Sequence, residues 1–126
     1  MSAWQHFTKA EFKCKHYGQN KMQDSFITKL DALRTKVGFS LHVTSGYRCP
    51  KHNAAVSPGT GLNGPHTTGR AVDFALSRHR GWEVLRAAME MGFTGIGVQQ
   101  KGEGRFLHLD DLQEPEHAPR PTIWSY

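Results

Sequence analysis

The sequence has very little cysteine: Cys14 and Cys49 are the only two among its 126 residues. Two thiols are too few for a disulfide framework or for a zinc site built from four cysteines. Because we expect the chain to fold in a reducing compartment, both side chains should be reduced thiols. A Cys14–Cys49 disulfide is the less favoured alternative.

The sequence also lacks long hydrophobic segments. No apolar run approaches the ~20 residues that are needed to span a bilayer. Residues 1–6 lack the charged and apolar regions of a secretory signal. We therefore expect synthesis in the cytoplasm without stable membrane association, and release by another component if the substrate lies outside the cell.

Acidic residues are outnumbered, with 11 of them against 16 lysines and arginines, and the formal net charge is +5. A basic surface attracts nucleic acid, anionic lipid or an anionic polymer such as the bacterial cell wall. The basic residues are scattered rather than clustered, so nucleic acid is not an expected partner. Histidine is abundant, with eight in the chain.

Hydrophobic periodicity predicts two main helices. The first spans residues 24–37 and ends at Gly38, a residue that suits a left-handed C-terminal cap. The second ends at Gly92, and its buried face should consist of Trp82, Leu85 and Met89. A short helical stretch is expected at residues 51–56, followed by a loop at residues 57–64.

Four short strands are predicted, at residues 39–43, 70–74, 95–99 and 105–109. The length fits a single domain, with a core over about residues 7–112 and an extended C-terminal tail. Helices and strands in this order indicate an α+β fold, with a small antiparallel sheet flanked by helices.

The strongest local motif runs from Pro65 to Asp73 and brackets a glycine turn with a histidine and an aspartate. Imidazole nitrogen and carboxylate oxygen are both good Zn²⁺ ligands. Gly69 allows a turn tight enough for His66, in the loop, to meet Asp73, on the following strand.

His108 offers a third ligand, because an unpaired imidazole would be costly to bury in its apolar strand. Two histidines and one carboxylate leave the fourth zinc position open for water, as in catalytic sites. Spacing alone leaves two alternatives open. His108 could be a hydrogen-bonded core histidine, and Asp73 could cap a turn.

Three segments together resemble the M15 family of zinc peptidases. They are residues 45–48 (Ser-Gly-Tyr-Arg), 66–73 (His-Thr-Thr-Gly-Arg-Ala-Val-Asp) and 106–110 (Phe-Leu-His-Leu-Asp). That family includes D-alanyl-D-alanine carboxypeptidases, dipeptidases and many phage endolysins, and it shares its fold with the hedgehog signalling domain. The motifs occur in the family's order, and the resemblance covers about residues 7–110.

The resemblance implies that zinc is held by His66, Asp73 and His108. It also implies that Arg48 grips a carboxylate or a peptide carbonyl of the substrate, which suits a bidentate guanidinium. Ser45 and Tyr47 would line the same pocket, although Tyr47 could instead pack in the core.

The general base is less clearly indicated. Better-known members of the family place an acidic residue three positions before the last zinc histidine, and here that position holds Arg105. Asp110 would lie on the same strand face as His108, and Glu103 in the preceding turn is the alternative base. Asp110 could equally serve as a carboxylate that orients His108.

The sequence therefore predicts a monomeric zinc peptidase that hydrolyses amide bonds in the peptide stem of bacterial peptidoglycan, as a carboxypeptidase or endopeptidase. A phage endolysin is the favoured context. Two alternatives remain: a virion-associated protein that digests the wall, and a zinc-binding interaction domain without catalytic activity.

The remaining histidines carry weaker signals. His16 lies two residues from Cys14, and two such residues without further partners are poor evidence for a metal site. His42 faces either the site or solvent. His52, His79 and His117 are expected at the surface.

Overall fold

The computed structural model describes residues 4–16, 18–114 and 119–126. These residues form three α-helices, α1 (Asp24–Val37), α2 (Pro50–Val56) and α3 (Arg78–Glu90). The five strands are β1 (His42–Ser45), β2 (Ala71–Ala75), β3 (Gly95–Gln99), β4 (Phe106–Asp110) and β5 (Thr122–Ser125). Short 3₁₀ turns cover Lys9–Phe12, Gly61–Asn63 and Pro65–Thr68. Among the described helices, none is long and apolar enough to cross a membrane.

The strands form one sheet in the order β1-β2-β4-β3-β5. All neighbours pair antiparallel except β3 and β5, which are parallel. The predicted α+β fold with a small, mostly antiparallel sheet is thus confirmed. Residues 119–126 of the predicted tail contain β5, which was not predicted as a strand, whereas Pro115 and His117 lie outside the described residues.

Helix α1 has the bounds that its periodicity predicts. It buries Phe26, Ile27, Leu30 and Leu33. Its last turn ends at Gly38, which adopts a left-handed conformation with φ of 79° and donates its N–H to the Arg34 carbonyl. Truncating one of the fully buried leucines to alanine would cost about 2–5 kcal/mol of stability.

The buried face of α3 differs from the prediction. Trp82 and Met89 are 66% and 63% exposed, so both were wrongly assigned to the core, and Leu85 is only partly buried. The helix instead buries Gly81, Val84, Ala87 and Ala88. These small side chains let α3 pack closely beside α1, while the larger apolar residues are left on the outside.

Strand β1 begins later than residues 39–43 predict. Its only neighbour is β2, whose last residue, Ala75, lies opposite His42, so pairing starts there. Leu41 is nevertheless buried in the core. The other three predicted strands agree with the structure to within one residue.

Candidate metal centre and cleft

One row of residues crosses the whole sheet and contains the centre of the site. Asp73 on β2 is the direct register partner of Ser45 on one side and of His108 on the other. His108 is in turn opposite Gly97, and Gly97 is opposite Trp124. Register partners point to the same face, so these five positions share one face of the sheet.

His66 reaches this row from the 3₁₀ turn that precedes β2. The turn ends at Gly69, whose φ is 77° and where a Cβ atom would collide with the Lys21 carbonyl, so only glycine fits. The His66 Nδ1 atom lies 2.8 Å from the Gly46 carbonyl oxygen. This contact orients the ring, and its Nε2 atom lies 3.2 Å from Asp73 Oδ1.

The three ligands predicted by the sequence converge at this point. His108 Nδ1 is 3.0 Å from Asp73 Oδ1 and 3.3 Å from His66 Nε2. One donor atom from each residue lies within 4.8 Å of the other two, and all three residues are buried. Two imidazole nitrogens and one carboxylate oxygen fit the preferences of Zn²⁺ and leave one tetrahedral position for another ligand.

The protonation of these groups is strongly coupled. Burial lowers the pKa of His66. Burial alone would lower the pKa of His108 too, but hydrogen bonds to Asp110 and Asp73 outweigh it and raise the pKa. The two imidazoles hold the pKa of Asp73 far below its usual range despite its burial. The ionised carboxylate is the form of Asp73 that can bind a divalent cation.

Behind His108 lies a buried ion pair. The His108 Nε2 atom is 2.8 Å from Asp110 Oδ2, and Arg120 contacts both oxygens of Asp110 at 3.0 Å. A Cβ atom at Gly95, opposite Asp110, would collide with this carboxylate. Asp110 therefore fixes the orientation of the His108 ring from the side away from Asp73 and His66.

Arg48 approaches the metal ligands from the segment after β1. Its guanidinium lies 3.6 Å from Asp73 Oδ2. It donates to the hydroxyl oxygens of Ser45 and Ser57, both at 3.1 Å, and to Asn53 Oδ1 at 3.3 Å. These four partners, on β1, on α2 with its C-terminal cap, and on β2, hold the arginine in one position, so it is preorganised for a carboxylate or carbonyl.

A cleft of about 410 Å³ opens onto these groups. One side is polar and includes Arg48, Asn53 and Ser57. The opposite wall is aromatic and consists of Phe106, Trp124 and Tyr126.

Two of the three aromatic residues, Trp124 and Tyr126, come from the C-terminal tail, whereas Phe106 comes from β4. The Trp124 ring centroid lies 5.0 Å from that of His108, because Gly97 between them has no side chain to separate them. Burial raises the pKa of Tyr126, so its hydroxyl keeps its proton and can donate a hydrogen bond in the cleft.

Several residues that the sequence motifs associate with the site do not line this cleft. Tyr47 is buried in the core, where burial raises its pKa. Glu103 is exposed in the turn before β4 and lines a separate groove. Arg105 donates to the Gly102 carbonyl and closes the same turn. His42 is exposed on β1.

Sequence reasoning missed three groups that the structure places at the site. Asn53 accepts a hydrogen bond from Arg48, and Arg120 donates to Asp110. Tyr126 lines the cleft. The alternation Gly95-Ile96-Gly97 was the sequence signal that other groups approach this strand closely, because two glycines on one strand face leave room for them.

A buried histidine-aspartate-histidine set that opens onto a cleft is typical of a metal-dependent hydrolase site. The chain matches the family model described as Peptidase M15 over residues 5–110. The protein therefore belongs to the peptidase M15 family. No curated protein sequence matches the chain significantly.

Proposed function

We propose that this protein is a zinc metallopeptidase that hydrolyses amide bonds in the peptide stem of bacterial peptidoglycan. The observation that carries the proposal is the convergence of His66, Asp73 and His108 beside Arg48 at the base of one cleft. Membership in the peptidase family supports the reaction class, and the donor set supports Zn²⁺ as the cofactor.

Zinc would be held by His66 Nε2, Asp73 and His108 Nδ1, and when bound it supplies a Lewis acid that polarises a carbonyl and acidifies water. Arg48 binds the substrate beside it, since its guanidinium can form paired hydrogen bonds with a carboxylate. Tyr126 faces the same space and donates a hydrogen bond to the carbonyl oxygen as negative charge develops there.

The base roles predicted for Asp110 and Glu103 stay predictions. Asp110 contacts the far side of His108, and we propose that it acts by orienting that ring. Among the described residues that line the cleft, Asp73 is the only carboxylate. The absence of a further carboxylate among the described residues of the cleft favours a second candidate function, that of a zinc-binding interaction domain without catalytic turnover.

A stem-peptide substrate suits both walls of the cleft. Such peptides carry free carboxylates, which match Arg48, and short apolar side chains, which can pack on Trp124 and Phe106. The net charge of +5 would concentrate the protein at an anionic wall. A monomeric endolysin of a phage, or a related virion-associated lytic protein, is the context that we propose.

Purified peptidoglycan tests the proposal. We expect the protein to release new amino groups, and we expect a chelator to abolish the release and added zinc to restore it. His108→Ala should be inactive, whereas His42→Ala, which removes an exposed histidine from β1, should retain full activity. Bound zinc without amide cleavage would refute the peptidase and leave the interaction domain.

Mass spectrometry of the digested muropeptides would identify the bond that is cut. Loss of a terminal D-alanine would indicate a carboxypeptidase. Separation of L-alanine from D-glutamate, or opening of a cross-link, would indicate an endopeptidase.

A further inference from the structure

The two cysteines lie together, although 35 positions separate them in the sequence. Both are buried, and their Sγ atoms are 3.7 Å apart. A disulfide bond would bring the sulfurs to about 2.05 Å. Two thiolates on one tetrahedral zinc, each about 2.3 Å from the metal, are separated by about 3.8 Å. The observed spacing is that of two free thiols in hydrogen-bonding contact, and it is also compatible with two thiolate ligands of one zinc ion.

Two histidines accompany the cysteines. His16 is two residues after Cys14, and His52 is three residues after Cys49. Their rings stack on each other with centroids 5.3 Å apart. Each cysteine thus has a histidine close behind it in the sequence, and the fold brings the two pairs together.

Two backbone N–H groups point at the sulfurs. The Cys49 N–H points to Cys14 Sγ and the His52 N–H points to Cys49 Sγ, both at 3.4 Å. The chain from Cys14 to Gln19 forms a closed loop through two backbone hydrogen bonds, with His16 near its tip. The two N–H contacts hold both sulfurs in fixed positions on the backbone.

We propose that Cys14, His16, Cys49 and His52 form a second metal site, which holds one Zn²⁺ in a structural role. Two thiolates and two imidazoles form a closed tetrahedral set with no position left for a substrate. The two rings now stack instead of converging on the sulfurs, so both must turn about their side-chain bonds. His16 is exposed and His52 is partly exposed, so they can turn without disrupting the core.

The site would tie the N-terminal segment to the segment that carries the substrate-binding arginine. Cys49 directly follows Arg48, and the Tyr47 N–H already donates to the Phe12 carbonyl at 2.7 Å. A metal across Cys14 and Cys49 would add metal–ligand bonds to the hydrogen bonds that already join these segments. It would therefore restrict the position of Arg48 without touching the substrate.

Counting zinc in the purified full-length chain under reducing conditions tests this proposal. We expect two zinc ions per chain in the parent protein and one in the Cys14→Ser/Cys49→Ser variant. His66→Ala/His108→Ala should also hold one, and cobalt bound to it should show the absorption of a thiolate ligand. The proposal is thus tested separately from the peptidase, because this variant lacks the first site.

Histidine variants separate the four-ligand site from a simple pair of thiols. His52→Asn should lose the second zinc and keep its fold, because the side chain is partly exposed. His79→Asn is the matched control on the surface of α3 and should keep both ions. One zinc in the parent, a Cys14–Cys49 disulfide found by peptide mapping, or two zinc ions in His52→Asn would each overturn the proposal.

Discussion

Asp110 and Glu103 are the two carboxylates for which the sequence predicts a proton-transfer role, and the fold places them in opposite environments. Asp110 is 0% exposed and is bonded to His108 on one side and to Arg120 on the other. Glu103 is exposed in the turn before β4, in a groove that it shares with Arg78 and Arg105. The first is fixed next to His108, a candidate metal ligand, and the second is exposed to solvent.

This difference shows why burial decides what a carboxylate can do. Burial alone would raise the pKa of Asp110, but His108 and Arg120 lower it, so the group stays ionised. Taking up a proton would break a buried pair, at a cost of about 3–5 kcal/mol. Asp110 is therefore suited to holding His108, whereas Glu103 is exposed and lines another groove.

The largest effect is expected from Asp73→Ala, which removes the buried carboxylate that contacts both histidines. The variant should bind one zinc ion fewer than the parent and show no amide cleavage above the chelator-treated level. Metal counting and muropeptide release measure both. Retention of this zinc would show that the two histidines suffice and would remove Asp73 from the ligand set.

Asp110→Asn distinguishes a positioning role from a base. If Asp110 orients His108, zinc affinity should fall about 10–100-fold, with activity falling in parallel at limiting zinc. If Asp110 is the base, kcat should fall about 10²–10⁴-fold while zinc affinity stays unchanged. Chelator competition gives the affinity, and assays at saturating zinc give kcat.

Arg120→Gln should destabilise the protein by about 3 kcal/mol, because it leaves Asp110 buried beside a partner without charge. Its effect on zinc affinity should be smaller than that of Asp110→Asn, since the carboxylate still contacts His108. Denaturant unfolding of the chelated protein measures the stability. In the double variant Asp110→Asn/Arg120→Gln the two costs should not add, because both act on one pair.

Glu103→Gln should have the smallest effect. A surface substitution of this kind changes stability by less than about 0.5 kcal/mol, and we expect kcat and zinc affinity within about twofold of the parent. Arg105→Gln, in the same turn, is the control for disturbance of the turn itself. A fall in kcat of about 10²-fold or more with zinc retained would identify Glu103 as the base.

The convergence of the three predicted zinc ligands could be expected from the sequence, because His66, Asp73 and His108 lie in local motifs. His66 and Asp73 bracket a glycine turn, and an antiparallel register fixes Asp73 opposite His108. The cleft wall could not be predicted in this way. Trp124 and Tyr126 reach the site only through the parallel pairing of β5 with β3, and the preceding sequence contains no local signal for that pairing.

The error in α3 has a different cause. Trp82, Leu85 and Met89 have helical spacing and high hydrophobicity, but the neighbouring face carries Val84 and Ala88 at the same spacing. Hydrophobicity favoured the larger residues, whereas the limited space beside α1 selected the smaller ones. Periodicity gives the presence of a helix, and the space available decides which face is buried.

The pairing of β5 with β3 also has a consequence for the order in which the protein becomes functional. The strands that carry Asp73 and His108 are complete at Asp110, yet residues 120–126 supply the partner of Asp110 and two of the three aromatic residues of the cleft wall. During synthesis these residues leave the ribosome after every other part of the cleft. A nascent chain would therefore assemble its ligand set first and gain a closed cleft only when its last strand joins the sheet.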